Sequence, residues 1–187
     1  MNDLMQQIFS LVCGQNPAHT WAPGGELLPF CQRCTGFYVG AALALILLLR
    51  FRPIPNARYC WLHVLLVLMM APFGFHLVSQ DAVLRTLSGQ WFGFGVVGLL
   101  WLLPGEKIFA KSKPIPRSRK VHILLAVTSL VLVPAAARWG GAAAHAVLPW
   151  FALAGLVAIA GLVLSNAAVF LAGVFAWLRR RIGPATP

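Results

Sequence analysis

Charged side chains are scarce in this sequence. Only 10% of the 187 residues are Asp, Glu, Lys or Arg, whereas 59% are hydrophobic. A soluble domain carries about 25% charged residues, so a surface this poor in charge does not face water. The uncharged residues are gathered in long runs rather than spread along the chain. The sequence therefore predicts an all-α integral membrane protein.

Acidic residues are the rarest of the charged types, and none lies deep in an apolar run. Ion-coupled transporters usually keep an ionisable group near the middle of the membrane, and many consist of two matching halves. The sequence has neither feature, so a small transporter is the least favoured function. The 4 acidic residues fall between the runs or at their ends: Asp3, Glu26, Asp81 and Glu106.

Basic residues outnumber acidic ones and give a formal net charge of +11 at pH 7. In a soluble protein this charge would suggest nucleic-acid binding, but no basic helix face or aromatic stacking platform accompanies it. The basic residues stand between or after the apolar runs, which is typical of loops beside anionic lipid. We therefore expect a lipid bilayer as the main partner, and no nucleic acid.

About five apolar runs are long enough for helices that cross a hydrocarbon core of about 30 Å. Pro104 and Gly105 are expected to end the third run, and Pro149 to stand in the first turn of the fifth. The fifth run is longer than one crossing needs, so it predicts either one long tilted helix or a re-entrant pair. The runs cover residues 30–49, 59–78, 86–103, 121–137 and 146–178.

The distribution of basic residues favours the single long helix and sets the orientation. With five spans, the basic clusters at residues 50–58, 107–120 and 179–181 all fall on one side of the membrane. Basic loops stay in the cytoplasm, so we expect the N-terminus outside and the C-terminus in the cytoplasm. The expected organisation is an outer cap at 1–29 with a short helix over 4–12, a motif-bearing three-helix module at 30–103, a basic cytoplasmic loop at 104–120, and two further helices with a basic tail at 121–187.

Three cysteines stand at the predicted outer face, around the start of the first span: Cys13, Cys31 and Cys34. The C-x-x-C spacing lets two thiols close on one metal ion or on each other. Cys34 falls in the first helical turn, where free N–H groups and the helix dipole favour a thiolate. With His19 as a fourth ligand, or His76 instead, the thiols would form a Cys3His set, which is typical of structural zinc. Copper(I) also accepts thiolates and is the less favoured metal.

The same thiols support two other interpretations, one of which would make the protein an enzyme. In the first, Cys31 and Cys34 form a reversible disulfide, Cys13 resolves it, and a membrane quinone reoxidises the pair. In the second, Cys13 forms a structural disulfide with Cys31 or Cys34 and staples the cap. The metal interpretation is preferred, with a small or lipidic ligand, a partner protein or a second copy of the chain bound at the outer face.

Two G-x-x-x-G steps stand near the predicted outer ends of the first and third spans. Small residues at this spacing let two helices approach closely in a membrane. We therefore expect the first and third spans to pack tightly against each other beside the cysteines. The glycines of the two steps are Gly36, Gly40, Gly89 and Gly93.

Four polar residues are also expected at the outer face: Arg33, Tyr38, Asp81 and Arg85. Arg33 lies between the two cysteines of the C-x-x-C pair and adds positive charge beside them. Asp81 and Arg85 are four residues apart, which predicts an exposed ion pair along one helix. Glu26 and a lipid phosphate are the alternative partners expected for Arg85.

The stretch CQRCTGFYVG at residues 31–40, together with RTLSG at 85–89, resembles the signature of a family of small prokaryotic membrane proteins of unknown function. The resemblance covers residues 11–103, about half of the chain. It implies a multi-pass protein of the cytoplasmic (inner) membrane and brings no established activity. Gly14 stands where that family has a histidine, which makes His19 the candidate replacement if the histidine is a metal ligand.

Overall fold

The computed structural model describes residues 2–52, 56–109 and 118–182. Within these ranges every regular element is a helix, as the sequence predicts. The one strand-like pairing in this part of the chain is an antiparallel bridge between Thr20 and Cys31. The elements in these ranges are α1 Asn2–Ser10, 3-10 helices at Pro17–His19 and Pro23–Gly25, α2 Gln32–Phe51, α3 Ala57–Leu68, α4 Met70–Gly74, α5 Ala82–Leu100, α6 Leu102–Phe109, α7 Ser118–Trp139 and α8 Gly141–Ile182.

Three helical stretches are long and apolar enough to cross a membrane, judged by length and composition. They are Gln32–Phe51, Ala57–Gly74 and Gly141–Arg180. The apolar part of α7, Ile123–Trp139, is shorter. An all-helical protein with helices suited to a membrane is thereby confirmed for the described residues, whereas five spans and their orientation stay predictions.

Side chains and backbone conformation define where several helices begin and end. Asn56 caps α3 by accepting a hydrogen bond from the Tyr59 N–H at 2.8 Å, and Asp81 caps α5 in the same way through the Leu84 N–H at 2.8 Å. Helix α2 ends at Arg52, whose φ of +46° places it in the left-handed conformation typical of a helix C-terminus.

The third predicted run does not stop at Pro104. Helix α5 ends with a turn at Trp101, after which α6 continues to Phe109. Pro104 lies in the first turn of α6, where a missing backbone N–H costs little, so the proline does not break the helix. Residues 118–120 of the predicted basic loop begin α7, and residues 110–117 lie outside the described residues.

The fifth predicted run is one continuous helix, α8, of 42 residues. At 1.5 Å per residue it is about 63 Å long, about twice the thickness of a hydrocarbon core. It begins at Gly141, whose φ of +55° forms the turn after α7. Pro149 therefore lies inside α8 and not in its first turn as predicted. Beyond Leu164 most side chains of the helix are exposed.

Helices α2 and α5 run parallel and pack backbone to backbone. A β-carbon at Gly36 would overlap the carbonyl oxygen of Thr86, and one at Gly89 would overlap the carbonyl oxygen of Arg33. The two backbones therefore approach so closely that a larger residue does not fit at either position. The other two motif glycines make similar contacts, Gly40 with Gln90 and Gly93 with Phe37.

Helices α3 and α4 run in the opposite direction to α5. The Tyr59 hydroxyl, early in α3, donates to the carbonyl of Gly98 near the end of α5 at 3.4 Å. Phe73, in α4, packs on Trp91 near the middle of α5, with ring centroids 6.2 Å apart. Helix α3 therefore starts beside the end of α5, and α4 lies beside the middle of α5.

Helix α8 runs parallel to α2 and α5. Gly155 packs on the backbone of Tyr38 in α2, and the Asn166 side chain donates from Nδ2 to the carbonyl of Leu100, the last residue of α5, at 2.8 Å. The starts of α2, α5 and α8 thus lie at the same end of the bundle. We call this the cysteine end, because residues 2–31 and the C-x-x-C pair lie there.

Residues 2–31 cover the cysteine end and share one apolar core with the helices beneath them. Phe9 of α1 is fully buried, and its ring centroid lies 4.7 Å from that of Phe30 and 5.6 Å from that of Tyr38. Leu4 and Leu11, on the other side of this segment, stay 63% and 84% exposed. The same core includes residues of α7 and α8: Val133, Ala137, Ala144, Leu148 and Ala152.

Candidate metal centre

The three cysteines reach one place from two separate segments. Cys13 follows α1, and its backbone N–H donates to the carbonyl of Phe9 at 2.8 Å. Cys31 is the N-cap residue of α2, and Cys34 stands in the first turn of that helix. Because residues three apart share a face of a helix, the C-x-x-C pair presents both thiols toward the same neighbour.

The sulfur atoms are close enough to share an ion. The Sγ atoms of Cys13, Cys31 and Cys34 all lie within 4.8 Å of one another, and the Cys31 N–H donates to the sulfur of Cys13 at 3.3 Å. Sulfurs bound to one tetrahedral zinc are about 3.8 Å apart, given Zn–S bonds of about 2.3 Å. The cluster therefore needs only a small approach of the sulfurs to hold a metal ion.

The surroundings of Cys13 favour its thiolate form. Hydrogen bonds from the side chains of Cys31 and Cys34 hold the pKa of the Cys13 thiol well below its usual value. The backbone N–H groups of Cys31 and Gln15 lower this pKa further, and burial opposes them only in part. A thiolate is the form that ligates metal and attacks disulfides, so the geometry suits either chemistry.

The two histidines considered as a fourth ligand lie outside this cluster. Among the described residues, no histidine or carboxylate joins the three sulfurs at this spacing. His19 is half-buried at the end of a 3-10 helix, and His76 is exposed after α4 with a φ of +56°. The structure thus brings together the three cysteines and leaves both histidines elsewhere.

Gln15 fastens the segment after Cys13 to the segment before Cys31. Its Nε2 atom donates to the carbonyl of Gln6 at 2.8 Å and to that of Pro29 at 2.9 Å. No role for Gln15 follows from the sequence, because two bonds to backbone carbonyls leave no pattern there. The residue positions the two cysteine-bearing segments against each other.

The polar residues expected at the outer face have other partners than predicted. Asp81 and Arg85 form no ion pair in the described part of the chain, because Asp81 caps α5 and the Arg85 Nε donates to the carbonyl of Gln80 at 2.7 Å. Glu26 pairs with His145 at 3.6 Å instead of with Arg85. The Tyr38 side chain is buried in the core beneath the cap.

Comparison with known proteins identifies one relationship. Residues 13–99 match the family described as "Predicted membrane protein (DUF2085)". The resemblance to a family of membrane proteins is thereby confirmed, over just under half of the chain. No curated protein and no solved structure matches the chain. The matched segment contains all three clustered cysteines, helices α2 to α4 and all but the last residue of α5, so the candidate metal centre lies in the matched region.

Proposed function

We propose that this membrane protein carries a structural zinc ion bound by Cys13, Cys31 and Cys34 at the outer face of a prokaryotic cytoplasmic membrane. The observation that carries the proposal is the convergence of three sulfurs, from segments 18 residues apart, to within 4.8 Å. Three thiolates suit zinc and would leave its fourth tetrahedral position to a water molecule, and a metal held by separate segments contributes directly to the stability of the fold.

The metal would fasten the cap to the start of α2. Cys13 belongs to the cap, whereas Cys31 and Cys34 belong to α2, so an ion held by all three joins the two parts. The cap has little core of its own, because its buried residues pack against α2, α7 and α8, and small units with little core are commonly stabilised by metals or disulfides. A cap held in this way would present a fixed outer surface to a small or lipidic ligand, to a partner protein or to a second copy of the chain.

A thiol–disulfide oxidoreductase is the second candidate, favoured by the partial exposure of Cys31 and Cys34 beside Cys13, whose thiol has a lowered pKa. Oxidation of the pair would form one S–S bond and release two protons and two electrons. A membrane quinone would accept both and become a quinol. This chemistry needs the pair to be free of tightly bound metal.

Metal content of the purified protein tests the proposal. We expect about one zinc per chain, by plasma mass spectrometry, in protein purified in detergent without a chelator or a histidine tag. Cys13→Ser and Cys31→Ser should each lose the zinc. Cys60→Ser is the matched control, because Cys60 lies in α3 outside the cluster, and it should keep the zinc.

Two results would contradict the zinc proposal. One is a metal-free protein in which Cys31 and Cys34 resist alkylation until they are reduced, which would favour the oxidoreductase. The other is a zinc content that Cys13→Ser and Cys31→Ser leave unchanged, which would place the ion at another site. Copper in place of zinc would keep the site and change only the metal.

A further inference from the structure

Two arginines at the cysteine end converge on one uncharged residue. The Nη2 atom of Arg33 donates to Oε1 of Gln80 at 2.8 Å and to the carbonyl of Phe73 at 3.3 Å. The Nε atom of Arg85 donates to the backbone carbonyl of the same Gln80 at 2.7 Å. Two guanidinium groups from different helices thus contact the two carbonyl oxygens of a single glutamine, one in its side chain and one in its backbone.

No carboxylate pairs directly with these two arginines in the described residues. In the described ranges neither Arg33 nor Arg85 forms a salt bridge, and Asp81, the acid nearest in sequence, is engaged in capping α5. Both arginines also stand in the first turn of their helices, α2 and α5. The positive end of a helix dipole disfavours a cation there, so the two helix starts add to the positive potential.

The arginines retain donors for a further ligand. The Nε atom of Arg33 is buried and has no hydrogen-bond partner. In the part of the chain that the structure describes, Arg85 donates only through Nε, which leaves its two terminal nitrogens free. A planar guanidinium presents paired N–H groups that match the oxygens of phosphate, and a buried donor without a partner costs stability until it is satisfied.

We propose that Arg33 and Arg85 bind a phosphate group, carried either by a lipid headgroup or by a free phosphate compound. The neighbouring loop favours the lipid. Phe75 and Leu77, which lie between α4 and Gln80, are each 77% exposed. Apolar side chains beside cations are typical of segments that enter the membrane interface, where the acyl chains would cover them.

This site is separate from the proposed metal centre. Cys31 and Cys34 share a face of α2, whereas Arg33 is rotated by about 100° from Cys34 around the helix. Its guanidinium contacts Gln80 and Phe73 and not the cluster. The phosphate site therefore does not depend on the zinc proposal, and each can fail alone.

Native mass spectrometry of the full-length protein in detergent tests the site. Phosphatidylglycerol is the probe, and diacylglycerol with the same acyl chains is the control without phosphate. We expect the wild type to retain phosphatidylglycerol and to release diacylglycerol. The double variant Arg33→Gln/Arg85→Gln should bind phosphatidylglycerol about tenfold more weakly or worse. Arg138→Gln is the matched control, because Arg138 is an exposed arginine at the C-terminal end of α7, and it should bind like the wild type.

Competition separates the two sources of phosphate. If neither inorganic phosphate nor glycerol phosphate displaces phosphatidylglycerol, the site binds a lipid headgroup. Displacement at similar concentrations would assign it to a free phosphate compound. If the wild type retained diacylglycerol as well as phosphatidylglycerol, the proposed phosphate site would be overturned. This comparison needs no variant, so it remains valid even if the double variant does not fold. The zinc content of Arg33→Gln/Arg85→Gln should stay at the wild-type value, so the outcome bears on this site alone.

Discussion

The indole Nε1 of Trp21 donates a hydrogen bond to the hydroxyl of Thr86 at 2.9 Å, and both side chains are buried. Trp21 belongs to the cap, whereas Thr86 stands in α5 at the contact with Gly36. The Thr86 hydroxyl donates in turn to the carbonyl of Ala82 at 2.9 Å, so its lone pairs remain available to the indole. This bond links the cap directly to the helix pair that it covers.

Thr86→Val should destabilise the protein, because it leaves the Trp21 Nε1 buried without an acceptor. We expect the free energy of unfolding to fall by about 1–3 kcal/mol, measured by thermal or denaturant unfolding in detergent. Trp21→Phe combined with Thr86→Val removes both partners, so the two effects should not add. Additive effects of the two substitutions would show that the bond contributes nothing.

Gly89→Ala should separate α2 from α5, because a β-carbon there meets the carbonyl oxygen of Arg33. Forcing a methyl group into such a contact costs about 1–3 kcal/mol. Gly161→Ala is the matched control, since nothing lies within 4 Å of a β-carbon at that position of α8. The control should be neutral or stabilising, as alanine favours a helix over glycine. Equal effects of the two substitutions would mean that the close approach of the backbones is unimportant.

The helices and the cysteine cluster were predictable because local patterns encode them. Apolar runs predict each long helix, and the C-x-x-C spacing predicts that the thiols of Cys31 and Cys34 lie close together. Two errors in the helix boundaries came from prolines. Pro104 and Pro149 predict helix boundaries, yet Pro104 stands early in α6, and α8, which contains Pro149, begins eight residues before it, at Gly141.

Tertiary contacts between polar residues could not be predicted. Gln80 accepts hydrogen bonds from two arginines, and Gln15 links two segments of the cap. The partner in each case is either distant in sequence or a backbone carbonyl. No periodicity or spacing records such contacts. The predicted Asp81–Arg85 ion pair was wrong for a related reason. Asp81 is the N-cap of α5, and its carboxylate accepts a hydrogen bond from the backbone of the first turn.

Gln15→Ala should weaken the proposed metal site without removing a ligand. Loss of its bonds to Gln6 and Pro29 would free the segment that carries Cys13 relative to Cys31. Residues that orient ligands typically contribute about 10- to 100-fold to metal affinity, so we expect zinc to be lost to a competing chelator at about tenfold lower chelator concentration. Gln7→Ala is the matched control, because Gln7 is exposed on α1. Identical chelator titrations for both variants would contradict a positioning role.

A buried polar pair joins α5 to α7. The Gln90 Nε2 donates to the hydroxyl of Ser129 at 2.9 Å, while the Gln90 Oε1 is buried without a partner. Ser129→Ala should lower the free energy of unfolding by about 1–2 kcal/mol, because it leaves the amide with no partner at either end. Ser165→Ala, which removes an exposed hydroxyl from α8, should have little effect. Gln90→Met removes the unpaired oxygen together with the bond, so it should destabilise the protein less than Ser129→Ala does. A larger loss of stability for Gln90→Met would show that the Gln90 oxygen has a hydrogen-bond partner.

The length of α8 predicts that its two ends lie on opposite sides of the membrane. One helix of 42 residues reaches about 63 Å, which exceeds a hydrocarbon core of about 30 Å even when tilted, and a hairpin within residues 141–182 would need a break that the structure does not contain. The exposed apolar side chains beyond Leu164 would then contact lipid or project past it, ahead of Arg179 and Arg180. Reporter tags inserted at Gly140 and fused after the last residue should report opposite compartments, with the second in the cytoplasm. Both tags on one side would rule out a crossing by α8, and both tags in the cytoplasm would also rule out the orientation that places the cysteines outside.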